Sequence, residues 1–140
     1  VHIAHEEGLA VMAHANGART VRAAARAGVD SVEHGAYLDE EALHAMQENG
    51  TVWVPTLSTI GNLRGKGRFQ EQAVAQIFQS AAENVRRFAA LGGLLAPGSD
   101  AGAWVVPHGS LSEYQLLRDV LGENAEDILK KGADKIKAVF

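Results

Sequence analysis

The sequence predicts an α/β fold, a parallel sheet with helices outside it, built as part of a (β/α)8 barrel. Short apolar runs alternate with longer amphipathic stretches, the signature of βα units. Those runs are bounded by Gly, Asn and Pro and lack internal alternation, as in strands buried on both faces. The chain has 140 residues, about half of a barrel that needs roughly 200 or more. A complete doubly wound domain of flavodoxin type is the competing architecture, because four or five βα units also build one.

The elements follow in order. Val1 to Gly8 reads as the tail of a helix closed by a C-terminal Gly. Leu9 to Ala13 is a short apolar strand followed by the turn pair Asn16-Gly17. Ala18 to Ala27 is a helix with Arg19, Arg22 and Arg26 on one polar face, stopped by Gly28. Val29 to Glu33 is the second strand. Asp39 caps a helix through Glu40, Glu41, Ala42, Leu43 and Met46, which Asn49-Gly50 closes. Thr51 to Val54, β-branched and aromatic, is a third strand stopped by Pro55. After a Gly-rich, basic loop from Gly61 to Arg68 comes the longest helix, with Val74, Ile77, Phe78, Ala81, Val85 and Phe88 at helical spacing and Gly92-Gly93 behind it. Leu94 to Ala96 is the fourth strand. Ser110-Leu111-Ser112-Glu113 is a capping-box sequence before the stripe Leu116, Leu117, Val120, Leu121. Glu123 to Phe140 is helical by its Ile128, Leu129, Ile136 and Val139, with Gly132 a point of weakness.

Composition narrows the function. With 46% hydrophobic residues the chain can bury a core. A net charge of −4 argues against nucleic acid as the main partner. No apolar run approaches the ~18 to 20 residues of a membrane span. The absence of Cys rules out disulfides and thiolate metal sites, so any metal site must use His and carboxylate. A reducing, cytoplasmic setting fits. The N-terminus shows no signal segment, but the chain reads as cut from something longer.

Three of the strands stop at a residue able to bind a metal. Val11-Met12-Ala13 ends at His14, Asp30-Ser31-Val32-Glu33 at His34, and Leu94-Leu95-Ala96-Pro97-Gly98-Ser99 at Asp100. Parallel strands place their C-terminal ends on one rim, where α/β folds carry their sites. Two imidazoles and a carboxylate there suit zinc or a similar divalent ion. Their tips are expected within roughly 4 to 7 Å of one another.

The motifs Ala13-His14-Ala15-Asn16-Gly17, Gly28-Val29-Asp30-Ser31-Val32-Glu33-His34-Gly35 and Gly98-Ser99-Asp100-Ala101-Gly102, followed by Pro107-His108-Gly109, resemble the amidohydrolase superfamily. The resemblance is greatest to its imidazolonepropionase-like and Xaa-Pro dipeptidase-like members and runs from Gly8 to about Leu121. It implies a metal-dependent hydrolase on a TIM-type barrel, with a His after strand five, a His after strand six and an Asp after strand eight. His14, His34 and Asp100 match in order, and the third strand, ending in Pro55-Thr56, is the one without a ligand. The chain then corresponds to strands five to eight, and residues 1–140 form a partial barrel domain without its N-terminal half. The family's His-X-His pair and its strand-four bridging residue are absent, as is any return into a small β-sandwich.

Tyr37 resembles a substrate-facing loop position of that family, and His108, in the loop after the last strand, is a second candidate for substrate binding. Glu33 should point away from His34 by strand alternation and needs a partner, which makes it a candidate to support the metal ligands. Arg64, Lys66 and Arg68 are candidates to meet a substrate carboxylate. His2, His5 and His44 read as surface residues without partners.

The leading function is metal-assisted hydrolysis of an amide, cyclic amide or dipeptide C–N bond. The ion would lower the pKa of bound water toward ~7, and Asp100 would take its proton and pass it to the leaving nitrogen. A non-catalytic doubly wound binding module, holding an anion near Asn16-Gly17, is one alternative. A half-barrel that self-associates through its open strand edges is the other.

Overall fold

A computed structural model describes residues 1–102 and 105–140. It contains α1 (His2–Glu6), β1 (Met12–Ala15), α2 (Ala18–Arg26), β2 (Ser31–His34), α3 (Glu40–Glu48), β3 (Val52–Val54), α4 (Ser58–Gly61), α5 (Glu71–Ala90), α6 (Ser112–Leu121), a 3-10 turn at Gly122–Asn124, and α7 (Ala125–Val139). The three strands are parallel and lie in the order β1-β2-β3. Consecutive strands are neighbours, and no reversal occurs among the described strands. A barrel segment has this order, as does either half of a doubly wound sheet up to its switch point.

The fourth strand is shorter than predicted. Leu94 to Ala96 lies parallel beyond β3 but makes a single bridge, in which the Trp53 N–H donates to the Leu94 carbonyl at 2.8 Å and the Ala96 N–H donates to the Trp53 carbonyl at 3.1 Å. Pro97 follows and has no N–H to extend the ladder. The first strand also begins later than its hydrophobicity suggests. The Leu9 N–H is taken by the Ala4 carbonyl at 2.8 Å, which leaves pairing to start at Met12. His14 therefore lies inside β1 rather than after it.

Register sorts the side chains onto two faces. Ala13, Val32 and Trp53 are aligned across β1, β2 and β3, and Leu95 extends the row through the bridge. That face meets the helix layer: Val21 and Ala25 of α2, Leu43 and Met46 of α3, Val85 and Phe88 of α5, Leu117 of α6 and Leu129 of α7 share its core. Trp53 meets Phe88 edge-on, with centroids 5.6 Å apart, an arrangement aromatic quadrupoles favour. On the other face a smaller cluster joins Val52, Val54 and Ala96 with Leu94 and with Ile136 of α7.

Local chemistry explains the start of α3. Asp39 caps α3 as expected, its carboxylate accepting the Ala42 N–H at 2.9 Å. Arg22 of α2 reaches Glu41 and Asp39, tying α2 to the start of α3. His5 is not partnerless. Its Nε2 lies 2.8 Å from the Asp30 carboxylate, which also accepts the Val11 N–H at 2.8 Å, so α1 is fastened to the base of the sheet. Among the described residues no helix is long and apolar enough to cross a membrane.

Gly132 does not break the last helix. It sits inside α7, where a Cβ would overlap the Leu95 carbonyl group and come within 3.0 Å of the Ala96 nitrogen. The residue is glycine because the helix axis runs against the backbone of the fourth strand. Helix propensity alone says that Gly132→Ala should stabilise by about 1 kcal/mol. Overpacking instead predicts a loss of about 1–3 kcal/mol, read as a lower urea midpoint with an unchanged m-value.

Candidate functional site

Glycine is the residue that usually takes left-handed backbone angles, but among the described residues four others do so, and they gather at the C-terminal rim. His34 (φ 71°), Tyr37 (φ 60°), Thr56 (φ 49°) and Asp100 (φ 51°) all lie in loops or at strand ends on that side. Each such conformation costs on the order of 1–3 kcal/mol and most for β-branched Thr56, so the surrounding structure must hold it.

For His34 this geometry has a direct consequence. Its register partner is Ala15, whose side chain is buried in the helix-side core. Simple alternation would send His34 the same way. The left-handed angle ends the pleat, and the imidazole instead meets that of His14, with centroids 4.3 Å apart and planes at 68°. Its Nδ1 lies 2.8 Å from the hydroxyl of buried Thr56. Nδ1 is thereby used, which leaves Nε2 as the ring atom for a ligand. Burial and the neighbouring His14 hold the His34 pKa below its ordinary 6.5, with Asp100 pulling in the opposite direction. The neutral imidazole, the form that binds metals, is favoured.

His14, His34 and Asp100 line one cavity of about 340 Å³, together with Asn16, Tyr37 and Thr56. Leu57, Ile60, Ile77 and Ala81 form an apolar wall. Two loops of the rim are joined: the Asn16 side chain accepts the Ala36 N–H at 2.8 Å, and the Gly17 N–H donates to the Ala36 carbonyl at 2.7 Å. That second bond occupies an amide an anion would have needed. The expected three-way convergence is incomplete. The two imidazoles touch and Asp100 shares their cavity, yet among the described residues no three His, Asp or Glu side chains form a metal-binding group.

Other candidates lie elsewhere. His108 is exposed and is not among the residues lining the cavity; its Nε2 would lie 3.8 Å from a Cβ at Gly102. Arg64 stacks over the Phe78 ring at 4.1 Å, and its Nε donates to the Gly61 carbonyl at 3.1 Å, on a separate cavity between α5 and α6. Neither Lys66 nor Arg68 lines the site cavity either. Glu33 finds its partner within its own strand, where the Ser31 hydroxyl donates to it at 2.7 Å, and burial pushes its pKa up.

Three residues that the sequence reading passed over support the rim. Thr56 orients His34, and its place at a strand end was the available signal. Glu113 was read as half of a capping box, but no side chain caps α6 and the Ser112 N–H goes to the Ser110 hydroxyl at 3.2 Å. Glu113 instead crosses to the start of α4, where it accepts the Ser58 N–H at 2.6 Å. The Ser58 hydroxyl in turn donates to the carbonyl of Ser99, the residue before Asp100, at 3.2 Å. Glu113 is 3% exposed, and its Oε1 has no hydrogen-bond partner among the described residues.

Desolvation raises the Glu113 pKa above the ordinary 4.5, despite hydrogen bonds from Ser58 and Leu57 that work against the rise. The folded state then holds its proton to higher pH than the unfolded chain does. Stability contributed by this group is complete below about pH 4.5 and declines as pH rises through the raised folded value. Glu113→Gln should flatten that slope in denaturation curves measured across the pH range. Glu113→Ala, which strands the buried Ser58 N–H, should cost about 1–3 kcal/mol at every pH.

No protein-family model matches the chain. Uncharacterized protein Rv2915c of Mycobacterium tuberculosis and Mb2939c of Mycobacterium bovis are each 30% identical over 136 residues, a match covering 92% of this chain and 36% of theirs. A Xaa-Pro dipeptidase with methionine bound in its active site superposes with a TM-score of 0.78 at 28% identity, over 99% of this chain and 36% of that one. A prolidase complexed with N-methylphosphonate-L-proline gives 0.79 at 31% identity, over 98% and 35%. A. niger ochratoxinase gives 0.73 at 26% identity, over 99% and 30%. The chain resembles the prolidase-like amidohydrolases and matches part of a TIM-barrel-type enzyme, spanning about a third of the proteins it matches.

Proposed function

We propose that this chain supplies the metal-holding rim of a hydrolase that cleaves an amide-type C–N bond, its strands corresponding to five through eight of a (β/α)8 barrel. One observation carries the reading. The His14 and His34 rings meet edge-on at a parallel-strand rim, with Thr56 on His34 Nδ1. Two imidazoles and the Asp100 carboxylate are nitrogen and oxygen donors of the kind zinc takes, and they would hold a divalent ion with further ligands from outside this chain. When bound, such an ion supplies Lewis acidity and makes water acidic enough to ionise near neutral pH.

The remaining work belongs to the side chains. Asp100, on the same cavity wall, accepts a proton from the attacking water and returns it to the leaving nitrogen. Thr56 keeps His34 in one tautomer and orientation. Tyr37, 67% exposed at the cavity mouth, is placed to meet a substrate as it enters. Dipeptides, including those ending in proline, and cyclic amides are the substrates to try first.

The test is metal content and turnover in the full-length protein. His34→Ala should lower bound metal, with activity falling in step. Thr56→Val should weaken metal affinity about 10- to 100-fold. Asp100→Asn should lower kcat by about 10²- to 10⁴-fold while KM moves less. Near-normal kcat in Asp100→Asn, at unchanged metal content, would remove Asp100 from the mechanism.

A further inference from the structure

Ile60 and Ile77, which line the cavity that holds His14, His34 and Asp100, also line a neighbouring groove of about 410 Å³, whose other apolar lining is Leu63, Phe69, Ala73 and Val74. The groove is built rather than incidental. Residues 61–68 bend back over the start of α5, and the Glu71 carboxylate accepts the Gly65 and Gly67 N–H groups at 2.8 and 3.2 Å. That pairing engages the nearest carboxylate. Arg64, the basic residue closest to Leu63 in sequence, is turned onto Phe78 and the Gly61 carbonyl. No Lys, Arg, Asp or Glu lines the groove among the described residues.

We infer that the site takes amides carrying a large apolar group, an aromatic or branched aliphatic side chain or acyl chain, which lies in this groove while the scissile bond sits beside His14, His34 and Asp100. This rests on the hydrolase reading above and adds the substrate's second half. An apolar group gains from leaving water over Leu63, Phe69 and Val74, whereas a charged group would lose hydration against the same surface.

The test uses the full-length protein and dipeptides sharing one scissile bond but differing in one side chain: phenylalanine, leucine, alanine or glutamate. Phenylalanine and leucine substrates should exceed alanine in kcat/KM by about 10- to 100-fold, with glutamate lowest. Ala73→Asp places a charge in the groove and, in the first turn of α5, favours the helix dipole, so the variant should fold. It should bring the apolar substrates near the alanine value. Equal rates for all four substrates, an unaltered preference in Ala73→Asp, or an equal loss on every substrate would overturn the inference.

Failure of the hydrolase reading shows differently, as no cleavage of any substrate by metal-loaded protein. The groove is then read by ligand-observed NMR with N-acetylphenylalaninamide and N-acetylalaninamide. Selective binding of the phenylalanine compound that is lost in Ala73→Asp supports the groove. Equal binding, or none, overturns it.

Discussion

The indole of Trp53 is the contact on which this architecture depends. Its main chain bridges to the Leu94–Ala96 segment, and its ring, 1% exposed, packs against Phe88 at the centre of the helix-side core. The indole N–H donates to the His34 carbonyl at 2.9 Å. A Cβ at Gly35 would come within 2.7 Å of that same nitrogen, so the residue after His34 must be small. One side chain thus joins the sheet, anchors the helix layer and holds the backbone of a site residue. Burying so large a ring is favourable only because its single polar atom has a partner.

The rim illustrates how packing sustains strain. His34, Thr56 and Asp100 each hold an unfavourable backbone angle at or beyond a strand end, and each is tied to something rigid. Trp53 holds the His34 carbonyl, Thr56 holds the His34 ring, and Ser58 holds the carbonyl preceding Asp100. Ser58 depends on Glu113, a carboxylate nearly without access to water. Asn84 on α5 adds a further tie by donating to the Leu38 carbonyl at 3.0 Å, beside Tyr37. Removing any of these lets a strained residue relax, and the arrangement of donors at the cavity relaxes with it.

Helices were the most legible part of the chain. α2, α3 and α5 start and stop close to where the apolar periodicity and the Asp39, Gly28, Asn49-Gly50 and Gly92-Gly93 signals put them, because those signals act over a single turn. Strand limits were less legible. Leu9 is apolar, yet its N–H belongs to α1, and pairing is a property of two chains rather than one. The motif Ser110-Leu111-Ser112-Glu113 suggested a local cap, but a buried N–H at Ser58, distant in sequence, took the carboxylate instead. Gly132 suggested a weak point because propensity counts only the helix itself, whereas the Leu95 backbone sets the requirement.

By itself the sequence determined the α/β class and the parallel pairing of its strands, since short unalternating apolar runs between stretches of 3.6-residue period are written locally. Tertiary structure alone decided which way His34 faces, which hydroxyl orients it and where the charges of the basic loop go. Those outcomes turn on a positive φ, on a Thr56 hydroxyl 22 residues away in sequence, and on Arg64 stacking over Phe78 rather than facing the site. Each is a contact between segments whose proximity exists only after the sheet has paired and the helices have packed against it.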